Sequence, residues 1–132
     1  MKKRVLKDVL TMVLCLVCAL QAYASDGSQT VQPRYRDIMA ITYSFDIEDG
    51  EAYYGSTVVV DTGEEIEIYM ELQEDTDTGW ETVKESSRRR YTSTLTFDDS
   101  CEVDPNGSYR VYYEITDWYS GGTETVTHYK YY

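Results

Sequence analysis

Apolar and polar residues alternate along most of this chain. Ile41, Tyr43, Phe45 and Ile47 are separated by Thr42, Ser44 and Asp46; Ile66, Ile68, Met70 and Leu72 are separated by Glu67, Tyr69 and Glu71. A period of two puts each set on one face of a pleated strand, whereas a helix would scatter the same apolar residues around its cylinder. The second stretch is the cleanest: one oily face and one acidic face, as in a half-buried antiparallel strand. Tyr91, Ser93, Leu95 and Phe97 repeat the pattern, as do Tyr109, Val111, Tyr113 and Ile115. Residues 123–132 alternate again and are rich in Thr and Tyr, both good strand formers. Turn residues fall between these runs. Asp49-Gly50, flanked by apolar alternation, is a strong two-residue hairpin signal. Asp61-Thr62-Gly63, Asp77-Thr78-Gly79, Pro105-Asn106-Gly107 and Ser120-Gly121-Gly122 supply the other reversals. Seven strands are predicted, at about 37–47, 51–60, 65–74, 80–86, 91–98, 108–118 and 122–131.

Short, evenly spaced strands argue for an all-β sandwich or barrel. One local pattern points to an immunoglobulin-like antiparallel β-sandwich. Asn106-Gly107-Ser108-Tyr109-Arg110-Val111 turns a corner into a strand, with Tyr109 two residues before a core position. A tyrosine corner sits there in such sandwiches, its hydroxyl returning to the backbone upstream, and Val111 stands where antibody domains carry a cysteine. Trp80 opens a strand and is expected to pack across the core.

The N-terminus changes the picture of where the protein works. Lys2, Lys3, Arg4 and Lys7 precede an apolar run from Val9 to Leu20, followed by Ala22-Tyr23-Ala24, a small–x–small cleavage pattern. These are the three parts of a secretory signal peptide. The apolar run is short of the roughly 20 residues a membrane-spanning helix needs. The expected organisation is a signal-peptide helix over 1–24, a flexible polar arm over 25–34 ending beyond Pro33, and one β-domain over 35–132, secreted outside the cell. Cys15 and Cys18 leave with the leader, and Val17 before Cys18 is not the small residue that lipidation sites carry. Cys101 then remains alone, with no internal disulfide partner.

The same residues resemble a known group. Pro33-Arg34-Tyr35 followed by Ile38, a strand ending Glu71-Leu72-Gln73, the turn and strand Gly79-Trp80-x-Thr82-Val83, Tyr109-Arg110-Val111 and a Tyr-rich end are similar to an uncharacterised family, a domain of unknown function, of small secreted proteins of Gram-positive bacteria. The resemblance covers most of residues 33–132. It implies secretion and an immunoglobulin-like fold, and it carries over no catalytic residue.

Charge narrows the partners. Cleavage leaves eight basic against 23 acidic residues. Such a polyanion repels phosphate backbones and anionic lipid, so nucleic acid and membrane insertion are not expected. Cationic proteins, neutral glycans and divalent cations remain. No cofactor is required. Calcium is the one candidate, because it takes six to eight oxygens and the acids cluster at turns. Asp98, Asp99, Glu102 and Asp104 are the first candidate ligands, ahead of Asp46, Glu48 and Asp49 and of Glu74, Asp75 and Asp77.

Enzyme chemistry finds little support. His128 is the single histidine, on the last predicted strand, and no Gly-x-Ser-x-Gly elbow occurs. Cys101 is expected in a long connection before Asn106. Acid pairs carry no information when acids are this abundant. Arg88-Arg89-Arg90 is the one basic run after the leader and is expected in a loop, offsetting neighbouring acids. Aromatics are more telling. Thirteen tyrosines follow the leader, and neighbouring rings in sequence must point to opposite faces. Tyr112, Trp118 and Tyr119 are therefore the candidate binding residues, since outward Tyr and Trp suit contacts with proteins and sugar rings. The reading is a monomeric, non-catalytic binding module for an extracellular protein or glycan; the alternative is a secreted antagonistic, bacteriocin-like effector.

Overall fold

A computed structural model of the chain describes residues 37–132. The expected leader and arm lie outside the described residues. Seven strands follow in order: β1 (Ile38–Glu48), β2 (Glu51–Val60), β3 (Glu65–Thr76), β4 (Gly79–Tyr91), β5 (Thr94–Glu102), β6 (Tyr109–Tyr119) and β7 (Gly122–Tyr131). They form two antiparallel sheets, ordered β1-β2-β5 and β4-β3-β6-β7. The described residues include no helix.

Alternation dictates which residues fill the space between the sheets. Ile66, Ile68, Met70 and Leu72 of β3 meet Val111, Tyr113 and Ile115 of β6 and, from the other sheet, Ala52, Tyr54, Val58, Leu95 and Phe97. Ile41, Tyr43, Phe45 and Ile47 of β1 pack against the rim of this core. The β1–β2 hairpin closes on Asp49-Gly50 as expected. Both residues have positive φ, 51° and 77°, the geometry of the turn whose twist suits a two-residue hairpin.

Tyr109 forms the anticipated corner. Its ring is buried, its hydroxyl accepts a hydrogen bond from the Asp104 backbone N–H (3.0 Å) and donates one to Glu74 Oε1 (3.1 Å). The ring lies against the preceding turn so closely that a Cβ on Gly107 would come within 2.5 Å of the hydroxyl oxygen. Glycine is needed there for space.

Both open sides of the sandwich are stitched by side chains. Lys130 Nζ donates to the Tyr43 carbonyl (2.9 Å), Tyr113 to that of Ser44 (2.5 Å) and Tyr132 to that of Ile47 (3.1 Å). On the opposite side Lys84 Nζ reaches Asp99 (2.8 Å) and the Ser100 carbonyl (2.9 Å), and the Arg88 guanidinium lies 4.7 Å over the Phe97 ring. Edge strands left bare would invite pairing with other chains; these contacts occupy groups along β1 and β5.

Three expectations need correction. Arg88, Arg89 and Arg90 are not in a loop: they extend β4, paired with Ile68, Glu67 and Ile66 of β3. The residues after Val83 lack apolar alternation because β4 is an edge strand, held by its ladder to β3 more than by core burial. Tyr91 consequently ends β4 at 81% exposure and does not begin the next strand, whose core residues start at Leu95. Cys101 lies on β5 opposite Ala52, half-buried against the core, not in a long connection.

Candidate binding face

The outer face of β4-β3-β6-β7 gathers rings and acids in alternating rows. Cross-strand register sets the rows: Tyr69 lies opposite Glu114, Glu71 opposite Tyr112, and Tyr112 opposite Tyr129. The Tyr112 ring tilts against Tyr129, with centroids 5.0 Å apart, and meets Tyr69 edge-on at 6.5 Å. Toward one end of the face the Arg110 guanidinium lies 4.2 Å from the Trp80 ring and 4.3 Å from that of Tyr129, while Tyr131 meets Trp80 edge-on. Toward the other end Arg89 lies 4.0 Å over Trp118 and pairs with Glu65 at 2.5 Å. Hydrogen bonds fix the rows: Tyr69 donates to Glu71 (2.5 Å), Tyr112 to Glu114 (2.8 Å), and Arg110 Nε to Gln73 (2.8 Å).

The electrostatics follow. Partial burial, then the bonded carboxylate of Glu71, pushes the Tyr69 hydroxyl well above the usual tyrosine range. Burial and the Glu114 carboxylate push that of Tyr112 up to about 12. Both are therefore neutral hydroxyls committed as donors at any ordinary pH. Between Tyr69 and Trp118 the face dips into an open depression of about 260 Å³, lined by Glu67, Tyr69, Glu114, Thr116 and Trp118.

The three residues expected to bind are not together. Tyr112 and Trp118 share this outer face, both half-buried. Tyr119 points the other way by alternation and folds onto its own turn, close enough that a Cβ on Gly121 would meet its ring at 2.7 Å. Trp80 does not cross the core; it stands on the outer face beside Arg110. Tyr69, Tyr129 and Tyr131 join them on the face. Their signal was present, as rings in the polar set of an alternating strand.

The acidic candidates are dispersed. Asp98 and Asp99 are successive residues of β5 and face opposite ways; Asp99 is bonded to Lys84, and Asp104 Oδ1 accepts from the Asn106 N–H (2.9 Å). Glu102 ends β5. Among the described residues no three His, Cys, Asp or Glu side chains are grouped so as to hold a metal ion. His128 stacks on Tyr43, centroids 4.3 Å apart, and burial, then Lys130, lowers its pKa. It lies on β7 of one sheet, and Cys101 on β5 of the other. No helix among the described residues is long and apolar enough to cross a membrane.

No family model and no curated protein matches the chain. Solved structures similar to it include the E. coli curli protein CsgC, 10% identical, covering 67% of this chain and 94% of that one with a TM-score of 0.39. A late embryogenesis abundant (LEA) protein is 12% identical, covering 98% of this chain and 86% of that one, also with a TM-score of 0.39. Likenesses this distant carry no function.

Proposed function

We propose that this chain is a secreted, non-catalytic binding module with an immunoglobulin-like fold, meeting an extracellular protein or glycan through the outer face of its four-stranded sheet. The strand order supports the fold reading. Immunoglobulin sandwiches place the first, second and fifth strands in one sheet and the third, sixth and seventh in the other. This chain does the same, with β4 on the edge of the second sheet. The corner at Tyr109 belongs to the same reading.

The observation that carries the function is the row of rings Tyr69, Tyr112 and Tyr129, flanked by Trp80 and Trp118 on a face with no second layer of its own chain among the described residues. Rings held by neighbours lose little freedom on binding, so contact there is efficient. The test is capture from envelope and culture extracts of the producing cells. Tyr112→Ala and Trp118→Ala are expected to keep the fold, since neither ring is in the core, and to lose capture. Unchanged capture by both folded variants would refute the reading.

A further inference from the structure

Resting on that reading, we propose that the depression between Tyr69 and Trp118 seats a guanidinium or ammonium side chain from a basic protein segment. Register builds it. Glu67 lies opposite Thr116, Tyr69 opposite Glu114, and Trp118 opposite Glu65, one step of the pleat further on. Same-face neighbours along a strand are about 7 Å apart. The short Thr116 side chain therefore sits between taller rings, and the face sinks there. Two carboxylates, Glu67 and Glu114, line the dip together with the two rings.

The ligand class follows from what lines the dip. A ring face attracts a cation through its quadrupole, and a carboxylate adds a charge-assisted hydrogen bond. The chain already performs this recognition next door: Arg89 lies over Trp118 and bonds Glu65, and Arg110 lies between Trp80 and Tyr129. Arg89 bonds Glu65 and also attracts Glu67, its partner across the β3–β4 ladder, while neither Glu67 nor Glu114 is in a close ion pair among the described residues. A net charge of −12 draws basic partners and repels phosphate. A neutral sugar would use the rings and leave the charge of Glu114, whose Oε2 accepts from the neutral Tyr112 hydroxyl, unanswered.

The test titrates the intact chain with tetra-arginine amide at about 150 mM salt, where long-range attraction is screened beyond about 8 Å. The chain has two tryptophans, so its NMR spectrum holds two indole N–H signals, assigned with Trp80→Phe. The Trp118 signal is expected to shift. The pair Glu67→Gln/Glu114→Gln is expected to weaken binding at least about tenfold, from the loss of two charge-assisted contacts. Asp46→Asn/Glu48→Gln removes the same charge from the other sheet and is expected to change it less than about twofold, as remote screened charges do. Equal weakening by both pairs, or an unmoved Trp118 signal, would overturn the cationic seat. If that happens while Tyr112→Ala still abolishes capture from extracts, the binding face stands and only its ligand class falls.

Discussion

Asp117 is fully buried near the end of β6, with its carboxyl group set against that of Asp37. It lies opposite Ile66 of β3 and Glu124 of β7. Three further acids face it. Asp37 accepts from the Thr62 backbone N–H (3.2 Å) and hydroxyl (2.9 Å), Glu124 accepts from the Asp37 and Ile38 backbone N–H groups, and Glu64 lies just before β3. Burial, then Asp37, then Glu124 and Glu64, push its pKa up to about 7. The unfolded value is about 3.9. Between these limits the unfolded chain releases the proton and the folded chain keeps it, so stability falls as pH rises. The contribution is whole below about pH 4, falls by up to about 1.4 kcal/mol per pH unit, and is gone above about pH 7, a total on the order of 4 kcal/mol.

Asp117→Asn removes the titration and supplies an amide that can donate to the neighbouring acids. Urea unfolding followed by intrinsic fluorescence measures both proteins from pH 5 to 8. The variant's stability relative to the parent is expected to rise by roughly 2–3 kcal/mol across this range, most of it by pH 7. His128 works in the opposite sense, since its lowered pKa makes stability fall as pH drops below about 6.5. It is common to both proteins and cancels in the difference. Parallel stability curves would rule out a proton held by buried Asp117.

The remaining predictions concern stability. Tyr109→Phe removes the hydroxyl bonded to Asp104 and Glu74 and is expected to cost about 1–2 kcal/mol in thermal or denaturant unfolding. Gly107→Ala forces a Cβ onto the Tyr109 ring and is expected to cost about 1–3 kcal/mol, a loss that restoring the glycine reverses. Lys84→Gln breaks the pair with Asp99, whose pKa lies below the usual range because bonds from Lys84 and the Ser100 N–H outweigh its desolvation. Both partners keep substantial solvent contact, so the loss is expected below about 1 kcal/mol, smallest at low pH where Asp99 protonates.

How far the sequence revealed the molecule depended on burial. β3 and β6 are central strands with one covered face, and their alternation gave bounds within two residues. β4 outruns its predicted end because residues 84–90 carry no apolar stripe; its order comes from backbone pairing to β3 and from Arg stems laid on rings. Tyr112 and Trp118 were legible because alternation turns them away from Val111 and Asp117. Tyr119 was not, since the strand ends there and its ring answers to the Ser120-Gly121 turn. The depression at Thr116 and the acids around Asp117 depend on cross-strand register and on side chains distant in sequence. Composition and periodicity along one strand do not encode either.

The outer face of β4-β3-β6-β7 is the proposed ligand-binding surface. NMR mapping of the intact chain with a captured ligand is the decisive measurement. Signal changes are expected at Tyr69, Tyr112, Trp118 and Tyr129, with the outer face of β1-β2-β5 unmoved at Thr42, Thr57 and Thr96. Changes confined to Thr42, Thr57 and Thr96 would contradict that proposal.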